Sequence, residues 1–166
     1  MITDLLSLTA FFEQIATGTE GIAVFLPLSN AEKAVDEISA YYNDNYGGTT
    51  AFFQVAEMHR KNNHSGLEQL TFFCSLTVAE KPEDTSARAG LQTRDRTMKV
   101  LLSMLGTIQL QADASADTVE PGVSAYEFTI EPSERIFPIG MLANVNLEGH
   151  YLDIDVKISA NHLLYS

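Results

Sequence analysis

The chain has 166 residues, 45% of them apolar or aromatic, and a formal net charge of −12 from 22 acidic and 10 basic side chains. That length favours one domain, residues 1–166, with a sizeable core. The acidity argues against general or sequence-specific nucleic-acid binding, which needs a basic footprint, and against docking on anionic lipid; it leaves room for a cationic partner or a surface that DNA passes without sticking.

Residues 4–17 carry Leu5, Leu8, Phe12 and Ile15 at helical spacing, with Thr3 placed to cap the start and Gly18 to stop it. The same stretch lacks the basic n-region of a signal peptide. Its apolar residues are broken by Asp4, Ser7, Thr9 and Glu13, so it is not a transmembrane span, and the expected compartment is cytoplasmic. The run GIAVFLPL (21–28) predicts a buried strand, and Pro27 places it at an edge or marks its end. Ser29 and Glu32 have capping-box spacing before a helical stripe of Ala31, Val35, Ile38 and Tyr42.

The strongest supersecondary signal follows. TTAFFQVAEMHR (49–60) and LEQLTFFCSLTVAE (67–80) flank the turn-rich KNNHSG, and the second run alternates Leu70, Phe72, Cys74, Leu76 and Val78 with polar residues. Strands of more than ten residues exceed the usual five or six, so this hairpin is expected to serve an assembly. Next, Asp84 or Thr85 can cap a helix running to about Leu105, with Gly106 as its stop. Residues 111–122 read as a polar loop and 123–132 as a strand with Tyr126, Phe128 and Ile130 on one face. SERIFPIG reads as a connection and 141–158 as a long extended segment. In that last segment Leu152, Ile154, Val156 and Ile158 share one face, while Tyr151, Asp153, Asp155 and Lys157 share the other. Upstream, Ala143, Val145 and Leu147 are apolar in the opposite phase, which predicts a bulge or tight turn near Gly149. The order α-β-α-β-β-α-β-β predicts an α+β fold: a mainly antiparallel sheet with a long hairpin and helices packed on one face.

Chemistry-bearing motifs are few. One cysteine, Cys74, excludes an intrachain disulfide framework and a Cys-based zinc site, and its place among Phe72 and Leu76 predicts an inert buried thiol. There is no GxSxG elbow, and GGTT lacks the GK[ST] of a phosphate loop. Glu148, His150, Asp153 and Asp155 resemble a ligand set, since carboxylates suit hard cations, but the alternation makes Asp153 and Asp155 a solvated face beside Lys157. No convergent histidine set exists, so neither a metal nor another cofactor is expected. Arg88, Arg94, Arg96 and Lys99 gather four of the ten basic residues on one helix. They form either a solvated flank paired with Asp95 or Glu83, or a surface docking on the acidic face of a second copy, with 111–122 and Asp153/Asp155 as targets.

The order of an N-terminal helix, a short strand, a long hairpin, a helix and closing strands resembles phage tail-terminator and tail-completion (neck) proteins. LEQLTFFCSLTVAEKP leading into RDRTMKVLLSMLG is similar to the centre of such chains, and LANVNLEGHYLDIDVKISANH to their closing strands. The resemblance implies a non-enzymatic structural protein. It would form a homo-oligomeric ring at the end of a tail tube, contact other tail or neck proteins, and be virion-associated if phage-derived. The expected interface residues are Arg88, Arg94, Arg96 and Lys99, the hairpin tip Lys61, Asn62, Asn63, His64 and Ser65, and Asp153 with Asp155. The alternative is a small ligand-binding or enzymatic α+β domain with a helix–sheet pocket.

Overall fold

The computed structural model describes residues 2, 4–29, 31–44, 48–62, 68–117, 128–140 and 145–159. Helix α1 (Leu5–Gly18) precedes the short strand β1 (Val24–Leu28) and helix α2 (Ala31–Asp44). The hairpin β2 (Thr50–Asn62) and β3 (Glu68–Glu80) leads into helix α3 (Ala87–Asp117), then β4 (Phe128–Pro132), β5 (Phe137–Gly140) and β6 (Glu148–Ser159). The sheet order is β1-β2-β3-β6-β4, with β5 also on β6. Among the described residues only β1 and β2 are parallel; the other pairs are antiparallel, as expected for this α+β fold.

Two apolar clusters hold the sheet between helices. On one face Leu8, Phe12 and Ile15 of α1 and Leu101, Met104 and Ile108 of α3 meet Phe53, Leu76, Leu152, Ile154 and Val156, all at most 2% exposed. On the other face Ile38 of α2 meets Phe52, Ala79 and Leu147. The expectation of helices on one face therefore holds for α1 and α3 and fails for α2. This second core also accounts for the phase reversal near Gly149. Leu147 points to the α2 side and Leu152 to the α3 side, because each end of the segment is covered by a different helix. The pairing of β6 with β3 runs in unbroken register from Glu148↔Glu80 to Ser159↔Gln69, so no bulge is present.

Local chemistry explains the other departures. The α1 cap is Asp4, one residue beyond the expected Thr3. Its carboxylate accepts from the Ser7 amide at 2.7 Å, and its own amide donates to Ser7 Oγ at 3.0 Å, a reciprocal capping box. Ser29 donates its amide and its hydroxyl to the Glu37 carboxylate, five residues beyond the expected Glu32. Helix α3 does not stop at Gly106. It continues to Asp117 through much of the predicted loop, because Met104 and Ile108 on either side of the glycine are both fully buried, and that packing outweighs a glycine cost of about 1 kcal/mol. The predicted connection 133–140 contains β5, whose Phe137 stacks on Tyr151 at 5.1 Å and whose Ile139 packs on the second core. Tyr126 and residues 118–127 lie outside the described residues, and β4 begins at Phe128.

Candidate assembly surface

The long hairpin is unequally covered. β6 pairs β3 over nearly its whole length. On the outer side of β2, β1 pairs only from Thr50 to Gln54 and ends at Leu28. Beyond that point no strand among the described residues pairs this side of β2. The register shifts once there: Val55 faces Cys74, and Glu57 faces Phe73, which leaves Ala56 as the extra residue of a β-bulge. From Glu57 to Asn62 the strand is regular again. Residues 56–61 are all exposed. Glu57 and His59 share one face, where His59 Nε2 lies 2.6 Å from Glu57 Oε1 and its ring meets Phe73 edge-on at 4.9 Å. Met58, opposite Phe72, faces the α1 side and is 58% exposed. A groove of about 540 Å³ opens at the end of β1, lined among others by Leu5, Leu6, Pro27, Leu28, Val55 and Met58; Leu6 is 81% exposed. An open, partly apolar strand edge of this kind is a template for a further strand.

The basic residues of α3 are mostly engaged within the chain. Arg94 Nε donates to Glu148 Oε2 at 2.6 Å. Arg96 grips Glu80 with both prongs, at 2.9 and 2.8 Å, and Thr49 Oγ1 donates to the same carboxylate at 2.7 Å. Lys99 pairs with Asp95 one turn away at 2.7 Å, the local pair the sequence suggests. Arg88 is exposed. The cause is topological. Glu80 and Glu148 face each other across β3 and β6, and α3 lies over both strands. Beside these pairs His150 is 6% exposed, its Nδ1 3.3 Å from Thr97 Oγ1. Burial, and secondly the Arg94 charge, hold its pKa below the ordinary imidazole value.

The C-terminal acids split. Glu148 and His150 face α3, whereas Asp153 and Asp155 lie on the opposite side of the sheet, where Lys157 Nζ donates to Glu131 at 2.6 Å. No group of three or more His, Cys, Asp or Glu among the described residues could hold a metal ion. Cys74 is buried and free, and burial pushes its thiol up to about 12. Of the predicted tip, Lys61 is exposed at the end of β2; the Asn62 side chain and residues Asn63, His64 and Ser65 lie outside the described residues. Arg60 clasps Glu68 at 2.7 and 2.8 Å just below that tip.

Leu5, Leu6, Glu57 and Met58 were not legible as surface residues. Helical spacing assigns Leu5 to the core, yet it is 50% exposed. The one signal for the open edge was the length mismatch between the run 21–28 and the far longer hairpin strands. No helix among the described residues is long and apolar enough to cross a membrane. No protein-family model matches the chain, and no curated protein matches it.

Proposed function

We propose that this chain is a non-enzymatic structural protein that works by self-assembly. Its concrete form is a tail-terminator-like homo-oligomeric ring at the end of a phage or prophage tail tube, in contact with other tail or neck proteins. The observation that carries the self-assembly is the open half of β2 with the exposed Leu5, Leu6 and Met58 beside it, a surface a lone monomer gains nothing by exposing. The terminator assignment rests on the element order read from the sequence. The chain's acidity suits a lumen through which DNA slides, since it does not grip a phosphate backbone. Convergence of Asp153 with Glu148 and His150 would favour the alternative, a helix–sheet ligand pocket, and the sheet separates them. Light scattering with negative-stain microscopy tests the reading: rings of defined mass are expected, and a monomer at all concentrations overturns it.

A further inference from the structure

We infer that two copies of this chain join through their β2 strands, antiparallel about a two-fold axis at His59, so that two six-stranded sheets become one. The inference rests on the self-assembly part of the reading above; a two-fold contact closes on itself, so a ring would be built from such dimers through a second contact.

The register of the sheet selects this contact. A two-fold axis perpendicular to a sheet keeps each side chain on its own face, so paired positions must have equal parity and the axis must pass beside one residue. Centred on Met58, the pairing places the partner's Asn62 level with Gln54, where Leu28 of β1 already stands, and it runs across the bulge at Ala56. Centred on Arg60, it pairs an equal length, Met58 to Asn62, but sets Arg60 directly opposite the partner's Arg60, a like-charge pair. Centred on His59, it pairs Glu57 to Lys61, inside the regular open stretch and beyond the β1 pairing that ends at Gln54.

Charge selects the same register. Glu57 falls opposite the partner's Lys61, and the symmetry makes that pair twice. Met58 falls opposite the partner's Arg60, whose methylene stem can cover a thioether now 58% exposed. The other edge of the sheet offers no equal fit. A neighbour presenting β4 to this notch in the same strand orientation would bring β5, which continues the same edge of β6, onto β1. Backbone pairing supplies the affinity and the alternating side chains the register, as in other strand additions.

The test uses the full chain. Directly opposed residues of an antiparallel pair lie within disulfide range, so His59→Cys should form a disulfide-linked dimer under mild oxidation, while the wild type, with only buried Cys74, should not. Glu57→Lys and Lys61→Glu should each weaken the dimer by about tenfold, since each converts two attractive pairs to repulsive ones, and the double variant should restore it. Both side chains are exposed, so the fold tolerates the changes. If His59→Cys stays unlinked, or the double variant fails to restore the dimer, while light scattering still shows an oligomer, the two-fold pairing is wrong and the self-assembly reading stands. If the wild type is monomeric throughout, both are wrong.

Discussion

Arg94 holds Glu148 at 2.6 Å across the gap between α3 and β6, in space left by two glycines. A side chain at Gly90 or Gly140 would meet the Glu148 carboxylate at 3.4 or 3.3 Å. The arginine is 40% exposed and the glutamate only 17%, so the glutamate depends on the arginine more than the reverse. Arg94→Ala should lower the free energy of unfolding by about 1 kcal/mol, a figure reduced for the arginine's exposure, and Arg94→Glu by more. Denaturant melts would check this. Any oligomer loss in Arg94 variants must therefore be read against their stability, whereas Arg88, exposed on the same helix, gives a cleaner surface probe.

His150 gives the fold a pH dependence with a definite sign. Its folded pKa lies below the ordinary value of 6.5, so the unfolded chain takes up a proton first as pH falls. Its contribution to stability is complete above about pH 6.5 and is lost as pH drops from there toward the folded pKa. His150→Gln should flatten that part of a stability–pH curve. An unchanged slope would assign it to other groups.

Gly149 lies where β6 and β3 approach closely. A Cβ there would stand 2.1 Å from the Val78 carbonyl oxygen and 2.7 Å from Ala79 Cα, both backbone atoms that cannot yield. Gly149→Ala should cost at least about 1–3 kcal/mol, seen as a lower melting temperature. A neutral effect would mean that the strands separate easily here.

Gly106 is the opposite case. It sits inside α3 with nothing within 4 Å of the point where an alanine methyl group would stand, and Gly106→Ala should stabilise by about 0.5–1 kcal/mol. Calorimetry should show the melting temperature rising by about 1–4 °C.

Cys74 is 3% exposed, and burial, with the nearby Asp155 charge second, raises its thiol to about 12. Thiol reagents should label it only on unfolding, at a rate set by denaturant. Rapid labelling of the native protein would contradict the packing of β3.

Much of the fold could be read from periodicity. The hairpin strands, the first helix and the burial of Cys74 all follow from apolar spacing over long runs. Less could be read where one stretch meets two environments. The reversal at Gly149 looks like a kink in sequence and is an uninterrupted strand in the fold, because α2 covers one end of the sheet from the far side. Gly106 looks like a stop and is crossed, because burial of Met104 and Ile108 outweighs its local preference. The arginines of α3 look like a docking flank, yet Arg94 and Arg96 meet carboxylates 54 and 16 residues away in sequence.

By itself the sequence determined which faces are apolar, where long strands and helices run, that the chain is acidic, and that its lone thiol lies in the core. These are properties of neighbouring residues, and backbone geometry converts them directly into a face. The tertiary structure alone decided that β1, whose end at residue 28 the sequence already marks, lies parallel to β2 against Thr50 to Gln54, leaving Glu57 to Lys61 as an open edge. It likewise placed Glu148 and His150 on the opposite side of the sheet from Asp153 and Asp155. Which strand neighbours which, and in what register, depends on contacts between distant segments, and no local pattern encodes that pairing.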